Sequence, residues 1–288
     1  MAILVNALVL ASAEPVRAVA EIRRMRGACE SHLMRCSDDH YYVVKFPNNM
    51  QGSRVLANEL LCASLATILS LPVALGAVVL VEEALVRYSD EMYMELERGR
   101  VRCQHGPCFG SRFPVDPRLE VVYEFLPSSL LRQVSNLREI CGMFVFDVWT
   151  SNVDNRQLLF VNDKPHSYRA VMIDQSLCFS GAAWQFSDRP QQGAYLDRRV
   201  YEGVQGLNDF EPWLTLLEDT INDVVLKNAA SAIPPEWYGS DRASLDRLLD
   251  ELCRRKNQVR NKIEVFASGF AEVFPNWKSC AFRARGGQ

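Results

Sequence analysis

The sequence contains no apolar run long enough to span a bilayer, so nothing in it argues for a membrane helix. The apolar start, Met1 to Pro15, carries an Ala11-Ser12-Ala13 triplet of the kind found at cleavage sites. It has no basic region ahead of that triplet, which speaks against a secretory leader, and a first β-strand is expected there instead. An excess of one charge sign is lacking too. The chain has 32 Lys and Arg against 35 Asp and Glu, a net of -3, which argues against broad binding to nucleic acid and leaves room only for a local basic groove. Internal repeats and low-complexity tracts are absent. The 9 cysteines, an odd number at irregular spacing, do not read as a disulfide framework. Cys62, Cys141 and Cys178 fall in apolar runs, where a free thiol behaves as a small hydrophobe, and a reducing cytoplasm is the expected compartment. At 288 residues the chain is one large domain or two small lobes, and burying roughly 75% of its unfolded surface needs no disulfide or metal staple.

Along the chain, Glu21–Met25 and Leu33–Cys36 read as strands and Ser37-Asp38-Asp39-His40 as a turn. Tyr41–Phe46 is a further strand, with Tyr41, Val43 and Lys45 on one face and Tyr42, Val44 and Phe46 on the other. A lysine closing such a strand either snorkels to water or meets an acid. Arg54–Leu69 reads as a helix ended by Leu71-Pro72. Glu59 is its one acid, with Val55, Leu56, Cys62 and Ala63 on the neighbouring turns, so no local ion pair satisfies it. Either it faces solvent at the helix edge or, if buried, it needs a cation from another element, for which Lys45 is the nearest candidate. Val73–Val86 carries apolar runs fit for strands. Cys103, His105 and Cys108 are metal-ligand types, but no fourth ligand sits at a suitable spacing, and Gly106-Pro107 reads as a plain turn. Leu119–Leu126 is expected as a strand and Pro127-Ser128-Ser129 as its interruption, connecting a strand-rich half to a helical one. Farther on, Gln175–Leu207 is irregular, as an active-site or binding segment would be. Phe210–Leu226 and Asp241–Phe266 read as helices separated by Pro234-Pro235, and the basic run from Arg254 to Lys262 as a solvated face.

The stretch richest in chemistry runs from Leu137 to Asp174. Leu137, Ile140, Cys141, Phe144, Val145 and Val148 recur at helical spacing. Thr150–Gln157 is polar, and the apolar runs Leu158–Val161 and Ala170–Ile173 flank Asn162, Asp163 and Pro165 as a hairpin would. The residues before and after an antiparallel hairpin lie at the same end, so Asp154 and Asp174 are expected side by side. Two converging carboxylates repel unless a cation or a shared proton relieves them, which marks a candidate site.

A strand lysine, a helix glutamate, a connector, a helix, a polar loop with an aspartate, a hairpin and a second aspartate follow one another. That order suits phosphoryl transfer from ATP, which is mostly positioning plus cancellation of negative charge. The segments YYVVKFPNNMQGSRVLANELL (41–61), CFGSRFP (108–114), FDVWTSNVDNRQLLF (146–160), AVMIDQSLCF (170–179) and IPPEWY (233–238) resemble the HipA-like kinase family. The resemblance spans about Gly27 to Val259. It implies an α+β, bilobal protein-kinase-like fold, with a strand-rich N-lobe of an antiparallel sheet plus one helix (1–126) and a mostly helical C-lobe (127–288). It also implies ATP and Mg2+ as cofactors and transfer to a serine or threonine hydroxyl of a protein substrate, autophosphorylation being one option, with no membrane or nucleic-acid partner. By the same resemblance Lys45 is the phosphate-pairing lysine, Glu59 its helix partner, Asp154 the catalytic base and Asp174 the metal-holding acid. Val121–Phe125 becomes the hinge, with Val121, Tyr123, Glu124 and Phe125 at the adenine edge. Gly27–His32, including Gly27 and Cys29, becomes the phosphate loop.

Three departures from the family pattern stand out. The phosphate loop has a single glycine. Leu159 occupies the place of the asparagine that usually serves as second metal ligand, for which Gln157, Asn152 and Asn155 are the substitutes at hand. Asn155-Arg156 replaces the histidine that often follows the catalytic aspartate. These changes keep a nucleotide-binding pseudokinase, acting as scaffold or regulator, as the alternative. A metal-dependent hydrolase built on Asp154 and Asp174 is a third reading, but it leaves Lys45 and Glu59 unexplained and lacks a histidine-rich ligand set.

Overall fold

Short apolar strands let the N-terminal part of the chain curl around one small core. The computed structural model describes residues 16–278 except 26, 28–29, 97–98 and 188–192; the strand expected within Met1–Pro15 lies outside the described residues. Strands β1 (Val16–Arg24), β2 (His32–Cys36), β3 (Tyr41–Lys45), β4 (Gly76–Val81) and β7 (Gly106–Arg112) form a closed barrel in the order β1-β2-β3-β7-β4. Four of its pairings are antiparallel, including His32 opposite Val44 and Lys45 opposite Phe109. The fifth is parallel, Val16 beside Val79, so the expected antiparallel sheet is in fact a barrel sealed by one parallel seam, which leaves it without a free edge. Met34, Tyr42, Val44, Phe46, Val79 and Cys108 fill it.

Between β4 and β7 the chain differs from the strand-only reading of Val73–Val86. Glu83–Tyr88 forms a short helix, α2, and a hairpin of β5 (Tyr93–Leu96) and β6 (Gly99–Arg102) follows it. Cys103 and Cys108 are buried free thiols rather than ligands of a shared ion, since Cys108 lies in the barrel core and Cys103 Sγ faces His32 Nε2 at 3.7 Å.

Helix α1 (Arg54–Ile68) is apolar on every side because it is covered on every side. One face meets β4 and β7. The other meets the turn at 178–183, the Pro235–Tyr238 turn and α5 (Asp223–Ala230), so its leucines belong to the C-terminal core rather than to the barrel's. At that core's centre is α3 (Glu139–Thr150), whose Phe144 packs against Tyr201, Phe210, Phe266 and Phe274. Beside it the hairpin of β9 (Gln157–Lys164) and β10 (Ser167–Ile173) pairs antiparallel, with Gln157 opposite Ile173. Of the strand expected over Leu119–Leu126 only β8 (Val122–Tyr123) forms, on the β9 edge.

The two long helices expected near the C-terminus are each broken. Asn222 caps α5 by accepting from the backbone of Val224 and Val225, which separates it from α4 (Trp213–Thr220). A 3-10 turn at Lys256–Gln258 divides α6 (Arg242–Arg255) from α7 (Val259–Gly269). The basic run there is only in part a solvated face, Arg254 being exposed. Arg255 is buried and donates to the carbonyls of Trp149 (3.0 Å) and Val148 (3.1 Å), and Lys256 donates to those of Glu218 and Ile221 (both 2.6 Å), so two cations close the C-terminal ends of α3 and α4. Among the described residues no helix is long and apolar enough to cross a membrane.

Candidate active site

Lys45 ends β3 on the face turned toward α1, where water is excluded. Its ammonium donates to Glu59 Oε1 at 2.5 Å and to Asp174 Oδ1 at 2.9 Å. Lys45 is 6% exposed and Glu59 1%, so the lysine does not snorkel and the glutamate does not face solvent: each is the other's partner. Glu59 Oε2 accepts the backbone N–H of Gln175 at 3.0 Å. Asp174 leaves β10 in the left-handed region, φ +55°, a conformation that aspartate tolerates better than most residues. Ser176 secures it, donating from its hydroxyl (2.6 Å) and its backbone (3.3 Å) to Oδ1. Burial pushes the Glu59 carboxyl up to about 7 despite the nearby ammonium. Burial works the same way on Asp174, but Lys45 and Ser176 outweigh it and hold that carboxyl below the usual carboxylate range.

Asn58, next to Glu59 on α1, escaped the sequence reading. Its amide donates to the carbonyls of Ser176 (2.9 Å), Cys178 (3.1 Å) and Gly181 (3.0 Å), and its oxygen accepts from Trp184 Nε1 at 2.7 Å. A single helical turn thus fixes both the lysine's partner and the loop that follows Asp174.

The loop between α3 and β9 is built on a second pair of charges. Arg156 Nε donates to Asp147 Oδ2 at 2.8 Å, its Nη2 to Asp147 Oδ1, and its Nη1 to the carbonyl of Ile173 at 2.7 Å. Burial alone would lower the guanidinium's pKa, and the adjacent carboxylate raises it instead. Asp147 sits in an otherwise apolar helix. The argument that singled out Glu59, a buried acid without a local cation, applies equally to it and was the available signal. Asn152 is tied within this loop, its amide on Asp147 Oδ1 (3.0 Å) and its oxygen on the Asp154 backbone (3.1 Å). Gly193 has φ +75°, and a Cβ there would lie 2.3 Å from that of Asp147, so only glycine lets the returning chain bond Asp154 O through its N–H at 2.9 Å.

The structure therefore joins some of the expected residues directly and others only by position. Lys45, Glu59 and Asp174 touch. Asp154 and Gln157 touch each other, the Gln157 amide donating to Asp154 Oδ2 at 3.2 Å, and the hairpin register sets them at the end where Asp174 emerges. Asn155 is exposed and donates its backbone N–H to Asp154 Oδ1 at 2.8 Å. Leu159 is core, inside β9 opposite Val171. Val121, Tyr123, Glu124 and Phe125 are exposed around β8. Gly27 is exposed at the tip of the β1–β2 hairpin, and Cys29 lies outside the described residues. His32 does not belong to that loop: it is a buried residue of β2, its ring edge on Phe46 and its Nδ1 3.4 Å from Glu21. The loop is held by backbone bonds, Met25 N–H to Ser31 O (2.7 Å) and Glu30 N–H to Gly27 O (3.2 Å), and by a set of side chains. Arg24 pairs with Glu30 under the Tyr93 ring (4.5 Å to its centroid), Glu30 accepts the Glu95 N–H at 3.3 Å, and Arg100 covers the ring at 4.0 Å.

With this geometry in view, comparison with known proteins is decisive for the family. Residues 19–266 match the HipA-like kinases. The chain belongs to that family. The crystal structure of the Golgi casein kinase is similar to this HipA-like kinase at a TM-score of 0.52 and 10% identity, over 93% of this chain and 77% of that one. A crystal structure of the Golgi casein kinase with Mn/ADP bound has a TM-score of 0.47 at 11% identity, over 90% and 74% of the two chains. No curated protein matches the chain. The fold is therefore a mixed α/β, protein-kinase-like one with strand-rich and helical parts, and membership of the family supports a kinase-like phosphotransferase.

Proposed function

We propose that this HipA-like kinase transfers the terminal phosphoryl group of ATP to a serine or threonine hydroxyl of a protein, in a cleft between a strand-rich lobe ending near residue 126 and a helical lobe beginning near 127. The observation that carries the reading is the one ammonium, Lys45, shared by two carboxylates that reach it from α1 and from the end of β10. In this role Lys45 neutralises phosphate charge while Glu59 fixes its position, and Asp154 takes the acceptor's proton. The residues suit a hard divalent cation such as Mg2+. Asp174 is held ionised, its Oδ2 accepts no hydrogen bond among the described residues, and Gln157, whose amide nitrogen is on Asp154, has its oxygen to offer. Such a metal, when bound, would offset the charge of the phosphates. As the acceptor oxygen bonds to the γ-phosphorus, the bond from that phosphorus to the β–γ bridging oxygen breaks and ADP leaves. The hydroxyl proton passes to Asp154 and then to solvent. The backbone of Val121–Phe125 would meet the adenine edge, and the loop at Gly27 would cover the phosphates.

Leu159 in the place of the second metal-holding asparagine, buried in β9, favours one other reading, a pseudokinase that binds nucleotide without transferring phosphate. Incubation with Mg2+ and ATP labelled on the terminal phosphate separates the two. Label on the protein or on an added substrate, lost in Asp154→Asn while a magnesium-dependent nucleotide thermal shift persists, is the expected result. The shift itself should vanish in Asp174→Asn. A shift without label selects the pseudokinase, and neither signal but phosphatase turnover selects a hydrolase. Transfer at the parent rate by Asp154→Asn would remove Asp154 as the base.

A further inference from the structure

Away from Lys45, two adjoining hollows share Arg199. One, of about 830 Å³, lies between the 3-10 turn at Ser128–Gln133, the start of α3 and the segment 199–209; the other, of about 430 Å³, is lined by Phe125, Leu196 and Asp197–Arg199. Their common wall leads directly out of the candidate active site. Gly193 bonds Asp154 O, Ala194 O accepts the Arg156 N–H at 3.1 Å, and the chain then runs through Leu196 to Arg199. Ser128 Oγ, on the opposite wall, donates to Asp197 Oδ2 at 2.8 Å and ties the two walls together.

Among the described residues, two arginines of this groove form no ion pair. Arg199 is spent on Asp197, with Nε 2.8 Å from Oδ1, and Asp209 on the backbone N–H groups of Gln205 (2.6 Å) and Gly206 (3.1 Å). Arg132 and Arg138 are exposed and have no carboxylate partner among the described residues. Arg138 reaches only the Glu211 carbonyl at 3.4 Å, and Glu202 and Asp209 are the acids on the same lining. The second hollow adds apolar surface at its mouth, Phe125 being 64% exposed and Leu196 73%. We infer that this double groove seats the acceptor: a polypeptide segment with acidic residues against Arg132 and Arg138 and an apolar side chain against Phe125 and Leu196. A nucleic acid fits less well, because the apolar mouth offers a phosphate backbone nothing. The inference names the substrate class of the site proposed above and rests on that reading of Asp154.

Binding can be tested apart from catalysis. Short fluorescein-labelled peptides, with a serine flanked by glutamates and one leucine, are titrated by anisotropy with the full chain and no nucleotide. The controls carry lysines for the glutamates or alanine for the leucine, and a single-stranded oligonucleotide of equal charge is run alongside. The acidic peptide should bind at least about tenfold tighter than the basic one and weaken with salt. It should lose about tenfold in Arg132→Glu/Arg138→Glu and recover in Arg132→Lys/Arg138→Lys. Both arginines are exposed, so an unchanged Tm shows that each variant folds. Equal binding of acidic and basic peptides, no binding of any peptide, tighter binding of the oligonucleotide, or indifference to the charge reversal each overturns the inference. The two readings fail separately. Acidic-peptide binding without label transfer removes the kinase and keeps the groove, and label transfer with an acceptor KM unmoved by the charge reversal does the opposite.

Discussion

Asp147–Arg156 and Lys45–Glu59–Asp174 both place ionised side chains beneath the surface, a few residues apart through the backbone of Ile173 and Asp174, yet their chemistry differs. In the first, one cation meets one anion, both side chains are wholly hidden, and Asn152 and the Ile173 carbonyl take up what the pair leaves over. Such a network has one state and holds the polypeptide in it. In the second, one cation serves two anions. The two carboxyls titrate apart, burial pushing Glu59 up to about 7 while Lys45 and Ser176 hold Asp174 low, and the Asp174 side chain is 27% exposed. Burial of charge therefore does not by itself mark a reactive site. What sets the second cluster apart is an unequal count of charges and an acid partly open to solvent.

The largest effect expected from breaking this contrast lies on the sealed side. Arg156→Met leaves Asp147 buried without its cation and should cost about 3–5 kcal/mol in urea unfolding, most of which Asp147→Leu/Arg156→Met should restore; a cost under about 1 kcal/mol would mean that the pair does not anchor the loop. The open side should show itself through pH. Glu59 has its folded pKa raised from 4.5 to about 7, so between those values the folded protein binds more protons than the unfolded chain. Stability from this group is complete below pH 4.5 and falls as pH rises to about 7, at up to about 1.4 kcal/mol per unit. Unfolding of wild type and Glu59→Gln across that range should converge or cross in this sense and run parallel above it. A difference that stays constant from pH 4.5 to 7 would mean that Glu59 remains ionised against Lys45 throughout. Smaller again is Asn58→Ala, which leaves three buried carbonyls and the Trp184 N–H without their partner, for about 1–3 kcal/mol. Because these bonds hold the loop after Asp174, magnesium-dependent nucleotide binding should weaken as well, which a mere loss of stability would not require at a temperature where the variant is folded.

Much of this was legible in the chain. The two-faced run Tyr41–Phe46 marked β3, and two apolar runs flanking turn residues marked the β9–β10 hairpin, which in turn brought Asp154 and Asp174 to one end. Glu59 declared itself as an acid among leucines. What stayed hidden depends on contacts between distant segments. Nothing local distinguishes Asn58 from a polar residue at a helix surface, because its partners are 118 to 126 positions away. The parallel β1–β4 seam needs the barrel closed before it exists. Arg255 and Lys256 read as solvated because helix periodicity does not reveal that the carbonyl ends of α3 and α4 stop beside them. Asp147 was the avoidable omission, since it obeys the rule already applied to Glu59.

A third charged cluster lies between the two extremes and should give the smallest response. Around the one-glycine loop, Arg24 and Glu30 are each 23% exposed at the side chain, and Tyr93 lies between Arg24 and Arg100. A loop rich in glycine reaches phosphate through backbone freedom; with one glycine, this loop is tied by the Met25 N–H on Ser31 O at 2.7 Å and by the side chains around Tyr93. Tyr93→Leu keeps bulk and removes the ring face, forfeiting about 0.5–1 kcal/mol per cation. If the loop covers the phosphates, that loss belongs to nucleotide binding, and KM for ATP should rise about two- to fivefold with kcat unchanged. Arg100→Ala, which strips only the outer cation, should fall between wild type and Tyr93→Leu. A lowered Tm with KM unmoved in both variants would assign the β5–β6 hairpin to the barrel's stability and leave the phosphates to Lys45 alone.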